Sequence, residues 1–353
     1  MNSKKENLSL SLYKSSIKKE IWIAGFPSRY GGADTELDHQ IDIWRKYGVD
    51  VFLVPMFGSE PEMEESVKKR GCHIFRYQDD IFKDKIVASW CNGQFLDKLP
   101  LIMEYGKPKK VIWFNCMTWL FEKEREAHKN GWIDIFGFVS NFQKSMLFPQ
   151  LQRINKEVNT FDYIPYFNYD RIKWEVKDIK DYYRVGRISR DDPAKFSEDT
   201  WKIFDDIKTP NGIGKKVYVL GFSDKIKEKI GDPPLRMDYM WWTPNAIPVE
   251  QFYNIINTVV HKTGGSRESY CRIVFECYAY GVIPIVENDF AFPTLIRHGE
   301  TGFLCNNSDE MSYYASELAF NTDKYKRMVL NGINFLKESN KPEICWKGWA
   351  EIL

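Results

Sequence analysis

Buried β-runs and amphipathic helices alternate along this 353-residue chain in two series, with an irregular break between them. Residues 21–25 (IWIAG) read as a buried first strand, followed by a glycine turn at Tyr30-Gly31-Gly32 and an amphipathic helix over 33–47. Strands over 51–54, 111–115, 136–140 and 163–165 and a helix over 60–70 continue the series. The break covers 166–180. The second series has strands over 183–187, 216–221, 258–262 and 283–286 and helices over 198–207, 248–256 and 269–280, and it closes on helices over 309–320 and 323–339. Parallel strands need crossovers long enough to hold a helix, so this alternation predicts an α/β fold with helices on both faces of each sheet. The length gives each half an ordinary core. Two doubly wound domains facing each other place their ligands at the carboxyl ends of the strands, in the cleft between them.

The chemistry concentrates in residues 266–304, SRESYCRIVFECYAYGVIPIVENDFAFPTLIRHGETGFL. Glu268 and Glu276 sit eight residues apart in an apolar frame. On a helix of about 3.6 residues per turn that spacing sets both near one face, roughly 12 Å apart. Ser269, Tyr270, Cys271 and Arg272 open the expected helix, whose unpaired N–H groups and partial positive charge suit a diphosphate. Gly281, a β-run over 283–286, Pro293 and a Gly299-Glu300-Thr301-Gly302 turn follow.

This frame resembles the E-x7-E signature of retaining glycosyltransferases with the GT-B fold, in particular the large GT4-like group. Its pattern reads, loosely, SxxEGFGLVxLEAMAxGxPVVAxxxGGxPExVxxGxTGxL. The match includes both glutamates, Ala279, Gly281, Pro284 and the Gly-Glu-Thr-Gly close. The resemblance implies two Rossmann-like domains, residues 1–170 on the acceptor side and 171–341 binding a nucleotide-sugar. It implies that Glu268 contacts donor-sugar hydroxyls and that Glu276 holds both ribose hydroxyls. Where the family has glycines, this chain has Ser269 and Cys271. The segment 183–195 (YRVGRISRDDPAK) resembles the family's vGRxxxxKG, in which a cation pair neutralises the leaving diphosphate. That assigns the pair to Arg187 and Lys195, with Arg190 competing for the role. Residues 26–36 (FPSRYGGADTE) resemble the family's GGxE loop, with Gly31 and Gly32 at the phosphates and Asp34 where glutamate is common. Two further segments, 139–147 and 163–172, resemble the family's vSexxrxxL and iPNGvDxxrF, and Asn168 and Asp170 are candidates to line the cleft. The family's mid-domain histidine is replaced at the end of the 111–116 segment, where Asn115 is the candidate contact to the acceptor. Residues 342–353, with Trp346 and Trp349 at helical spacing, form either a helix crossing back to the first domain or a packing helix of the second.

The expected activity is metal-independent transfer of a hexose, UDP-glucose being the default donor, to a hydroxyl of a glycan or a lipid-linked acceptor. No cofactor is expected beyond the nucleotide-sugar co-substrate. Paired acidics at 79–80, 191–192 and 205–206 make no D-x-D loop, and the five histidines lack metal-ligand spacing. His261, at the end of a strand facing the cleft, reads as structural. Walker and strand-linked G-x-G-x-x-G motifs are absent, which excludes the common kinases and dehydrogenases. Seven scattered cysteines without C-x-x-C pairs read as reduced thiols. The polar, lysine-dotted opening is no signal peptide, and the longest apolar run, 111–121, is too short to span a bilayer. A cytoplasmic protein is expected, peripheral membrane contact being possible. A net charge of +1 implies no global field for polyanions. Local basic segments, the leader and Lys107, Lys109 and Lys110 with Arg29, permit a second reading. In it the chain resembles bacteriophage glycosyltransferases that act on hydroxymethylated bases in DNA, with Phe26, Trp113 or Trp119 receiving a flipped base. A third reading is a non-catalytic sugar- or nucleotide-binding protein on the same scaffold.

Overall fold

The computed structural model describes residues 19–27 and 31–353. Lys4, Lys5, Lys14 and Lys18 of the leader, together with Arg29 and Tyr30, lie outside the described residues. The first sheet comprises β1 (Glu20–Ala24), β2 (Asp50–Val54), β3 (His73–Ile74), β4 (Ile86–Trp90), β5 (Lys110–Phe114) and β6 (Ile135–Gly137). Its spatial order is β3-β2-β1-β4-β5-β6, all parallel. The second sheet holds β7 (Tyr182–Ile188), β8 (Gly214–Leu220), β9 (Tyr239–Trp242), β10 (Thr258–His261), β11 (Ile283–Glu287) and β12 (Phe303–Cys305), ordered β12-β11-β10-β7-β8-β9. Counted from its own first strand, the second sheet repeats the order of the first. Each therefore has one point where the strand order reverses, between β1 and β4 and between β7 and β10, and there the outgoing loops diverge and leave a crevice.

Burial explains the strands. Ile21, Val51, Val87 and Val111 are all fully buried across the first sheet, and Val185, Val217, Val259 and Ile285 across the second. Helices cover both faces, so the strands read as continuous apolar runs rather than alternating ones. Strands β3 and β12, of two and three residues, are too short to make such a run; β4 (IVASW) and β9 (YMWW) are largely apolar and are additions to the expected strands. The strand expected over 163–165 does not form. That stretch is irregular and leads into the crossing between domains, with only Thr160 bridging to Phe136 of β6.

The chain crosses between the domains twice, after Pro165 and again near Asn340. Asn340 is 1% exposed; its Nδ2 donates to the Pro165 carbonyl at 3.2 Å and its Oδ1 accepts from the Phe167 N–H. The second crossing delivers the last helix, Pro342–Ile352, to the first domain. Trp349 is fully buried there, its ring 5.1 Å from those of Trp44 and Phe161 and 5.9 Å from that of Tyr163. Trp346 stacks on Tyr47 at 4.6 Å. At Gly348 an added Cβ would stand 2.1 Å from the Asp162 carbonyl oxygen, so only glycine admits this close approach.

Candidate active site between the domains

The two sheets meet with their carboxyl ends facing. Ser269 Oγ donates to the Cys116 carbonyl at 2.7 Å, Ser140 Oγ donates to the Ser269 carbonyl, and Phe142 and Phe290 approach to 6.1 Å. The loops that converge here leave β1, β5 and β6 on one side and β7, β10 and β11 on the other, so the candidate residues gather around both switch points.

Glu268 lies in the loop after β10. The expected helix over 269–280 is shorter, Ile273–Ala279. Cys271 takes a left-handed backbone (φ 37°), which an α-helix cannot contain. Ser269–Arg272 therefore form an irregular loop, and the shared-face argument for the two glutamates does not hold. The left-handed residue falls where the family pattern has glycine, and that is the conformation glycine adopts most readily.

Around Glu268 the sequence is folded tightly. The turn Pro193–Lys195 is capped by Asp192, whose side chain accepts from the Ala194 N–H at 2.9 Å. The Ala194 carbonyl in turn accepts from the N–H groups of Gly264 (2.9 Å) and Ser266 (3.0 Å). Lys229 Nζ pins both loops through the Pro193 and Gly264 carbonyls, each at 2.8 Å. Lys195 Nζ then donates to Glu268 Oε1 at 2.6 Å, in a pair whose side chains are 17% and 10% exposed.

Behind that pair stands His261. It is fully buried, and Arg187 Nη1 donates to its Nδ1. The ring proton is thereby assigned to Nε2, which faces Glu268 Oε1 at 3.7 Å. Burial and the adjacent Arg187 push His261 down to about 4, so it is neutral at pH 7. Burial opposes the charge of Glu268 as well. The facing His261 N–H and the Lys195 ammonium outweigh it and hold the carboxyl near 2, so Glu268 is ionised. His261, expected from the sequence to be structural, is a fully buried residue bonded to Arg187, one strand over, beyond the Val259–Gly186 pair.

Arg187 itself does not face the cleft. It is 1% exposed, and its fork is taken by His261, by the carbonyls of Lys195 and of Ile188 (3.3 Å), and by the Lys262 carbonyl at 3.5 Å. Burial pulls it down to about 10, still charged at neutral pH. It holds the Lys195 backbone and His261 in place. Arg190 is exposed and reaches the first domain: its Nη1 lies 3.8 Å from where a Cβ on Gly31 would be.

Glu276 is half-buried, and Tyr253 Oη donates to its Oε2 at 2.8 Å. Burial raises its carboxyl above the usual range, against the opposing pull of Arg272. Arg272 is 9% exposed, 5.2 Å above the Phe167 ring, and its Nε and Nη2 have no hydrogen-bond partner among the described residues. Tyr270 is buried and stacks on Phe275 at 5.3 Å. A cavity of about 260 Å³ beside it, bounded by Ser140, Leu295, Phe335 and Asn340, contains neither glutamate.

On the first domain, Gly31 caps the helix Gly32–Lys46, and Asp34 lies in its first turn. Asn115 is not available to an acceptor. It is 3% exposed; its Nδ2 donates to Glu124 (2.6 Å) and to the Trp119 carbonyl (2.8 Å), and its Oδ1 accepts from the Met117 N–H at 2.9 Å. Of the other cleft candidates, Asn168 is engaged by Asp42 at 2.5 Å and by the Asp170 N–H at 3.2 Å. Trp113 and Phe26 are fully buried core, while Trp119 is 51% exposed. Lys107 and Lys109 precede β5 and Lys110 is its first residue, at the amino ends of the strands, and so they cannot rim the cleft. No group of three or more His, Cys, Asp or Glu among the described residues is placed to hold a metal, and no helix among them is long and apolar enough to cross a membrane. All seven cysteines are free thiols.

No protein-family model and no curated sequence matches this chain. Solved structures do. Anabaena HepE in complex with UDP and glucose superposes with a TM-score of 0.69 at 14% identity, covering 95% of this chain and 99% of HepE. S. aureus TarM, in complex with fondaparinux, alpha-GlcNAc-glycerol and UDP, gives 0.72 at 11% identity, with 95% and 99% covered. Sucrose-phosphate synthase of Thermosynechococcus elongatus gives 0.68 at 12%, with 95% and 98% covered. The likeness runs the length of both partners, so the two facing domains of this chain have the GT-B architecture of these glycosyltransferases.

Proposed function

We propose that this chain is a retaining glycosyltransferase of the GT4-like kind, moving a hexose from a nucleotide-sugar, UDP-glucose by default, to a hydroxyl of a glycan or glycolipid. The observation that carries the reading is the Lys195–Glu268 pair, in the loops after β7 and β10, fixed from behind by Arg187 and His261. HepE, of the same fold, was solved with UDP and glucose. Glu276 is suited to hold the ribose, and ionised Glu268 to accept hydrogen bonds from hydroxyls of the donor sugar.

In the reaction the bond from the anomeric carbon to the β-phosphate oxygen breaks as the acceptor oxygen bonds to the same face. The acceptor's proton passes to the departing phosphate. Negative charge grows on that phosphate, and cationic side chains already in place stabilise it without a metal. Lys195, whose Nζ is 2.6 Å from Glu268 Oε1, is one of these cations, so Lys195→Met should lower turnover more than it weakens donor binding.

The test is UDP release from UDP-, GDP- and ADP-sugars, with and without glycan acceptors, and the product's anomeric configuration by NMR. Sugar-dependent UDP release with an α-product, insensitive to EDTA and abolished in Glu268→Gln, is expected. An inverted product, or activity lost to EDTA and restored by Mn²⁺, would refute the retaining, metal-free reading.

A further inference from the structure

The edge of a sheet presents unpaired N–H and C=O groups, and proteins blunt such edges with short strands, charges, proline or a cover. The outer strands of the two sheets are β3, β6, β12 and β9. β3 has two residues; β6 and β12 have three, mostly buried, and Phe136 of β6 is bridged by Thr160. β9 is the exception. Its four residues, Tyr239–Trp242, include no charge and no proline. Tyr239, Met240 and Trp241 are exposed, and so is Leu235 in the turn just before them.

The main chain of β9 fixes what can pair with it. Its inner side meets β8, where the carbonyls of Asp238 and Trp242 accept from the N–H groups of Val217 and Gly221, each at 2.9 Å. Backbone groups alternate sides along a strand, so Tyr239 and Trp241 turn their N–H and C=O groups outward. A second β9 running antiparallel, with Met240 opposite Met240, sets Tyr239 against Trp241 of the second copy and Trp241 against its Tyr239, each pair exchanging both backbone hydrogen bonds. A centre moved to Tyr239 or Trp241 would set one outward residue against Met237 or Thr243. Those are spent in local turns, the Met237 N–H on Pro234 and the Thr243 carbonyl on Ala246. In the Met240 register the side chains also match. Tyr–Trp pairs lie on one face and a Met–Met pair on the other, Asp238 falls opposite Trp242 of the second copy, and no like charges meet. With Leu235, the exposed side chains of the edge bring roughly 1,000 Å² across both copies, the area at which specific interfaces begin. A net charge of +1 adds little repulsion between copies.

We propose that two copies of this chain associate through β9, antiparallel about Met240, so that their second sheets join into one continuous sheet. The strands of the two copies then run in opposite directions, and the two clefts, at the carboxyl ends, open on opposite sides of the dimer. The proposal does not depend on the reaction that the cleft performs.

Sedimentation velocity on the intact chain, from about 1 to 100 µM, should show a monomer–dimer equilibrium. Met240→Lys and Met240→Glu each set like charges face to face and should weaken self-association about tenfold or more. An equimolar mixture of the two variants should recover the dimer, because opposite charges then meet at the twofold axis. The side chain is exposed in the single chain, so both variants should keep the wild-type circular dichroism spectrum. Met240→Cys supplies a second readout. Oxidised glutathione should link two copies through residue 240, two thiols giving one disulfide and two reduced glutathiones, whereas Leu330→Cys, exposed on another element, should stay unlinked. A wild type that is monomeric throughout this range overturns the proposal and leaves the edge to an extended segment of a different protein. A dimer that persists in both charged variants places the interface elsewhere and overturns it as well. Variants that stay monomeric when mixed, or Met240→Cys that does not cross-link, refute the antiparallel register and the proposal with it.

Discussion

Replacing Glu276 by alanine isolates one function of the site, the grip on the ribose. The carboxylate is half-buried and oriented by Tyr253, whose hydroxyl donates to Oε2 at 2.8 Å, leaving Oε1 and the remaining lone pairs for a ligand. Two hydroxyls donating to a carboxylate are charge-assisted, so their joint loss should cost about 1.5–3 kcal/mol, roughly 10- to 160-fold in Kd. Calorimetry with UDP measures it, and 2′,3′-dideoxy-UDP serves as the other arm of a cycle. The analogue lacks both donors, so the wild type should already bind it weakly and Glu276→Ala should weaken it no further. Glu276→Gln retains an acceptor for Tyr253 and guards against a folding defect; its loss of UDP affinity should be intermediate. Burial raises the Glu276 carboxyl above its usual range, so UDP binding should weaken on acidification at a higher pH than an exposed glutamate would give. An affinity for UDP within twofold of wild type, or an equal loss for the dideoxy analogue, would remove Glu276 from the ribose site.

Three further outcomes are expected. Glu124 is fully buried with Oε1 unpaired among the described residues, and desolvation lifts it to about 7. Its contribution to stability is therefore present below its ordinary value near 4.5 and lost as pH rises through about 7. Urea midpoints should show Glu124→Gln gaining on wild type by about 2.5 kcal/mol between pH 5 and pH 8, and a pH-independent difference would contradict this. Trp349→Ala empties a fully buried site among five aromatic rings and should cost about 3–5 kcal/mol in urea unfolding; a loss under 1 kcal/mol would mean that the last helix is not docked. Replacing Lys107, Lys109 and Lys110 together by serine should change neither turnover nor its salt dependence, because they stand at the amino ends of the strands, and a tenfold fall in turnover would place them at the cleft.

The sheets were legible because strands covered on both faces must be apolar throughout, and IWIA or VIWF can hardly be read otherwise. Strand β9 (YMWW) is equally apolar, yet it stands at an edge with Tyr239, Met240 and Trp241 exposed rather than covered on both faces. At the site, the spacing of Glu268 and Glu276 assumed one continuous helix, and the left-handed backbone at Cys271 breaks it. Side-chain direction was hidden altogether. Arg187 turns inward and Asn115 is consumed by its own loop because partners more than sixty residues away, or a neighbouring helix cap, compete for them.

The twofold crossing fixed at Asn340 has a consequence for how the molecule is made. Strand β1 and the helix Pro342–Ile352 both belong to the first domain, so the second is in effect inserted within it. On a ribosome the second domain has all its strands in hand before Trp349 has been synthesised, whereas the first must hold Trp44, Trp90 and Phe114 uncovered until the helix Pro342–Ile352 arrives. Chains halted before residue 342 should therefore present a native second domain beside an aromatic surface still waiting for its cover, and limited proteolysis of stalled nascent chains should cut the earlier-synthesised half first.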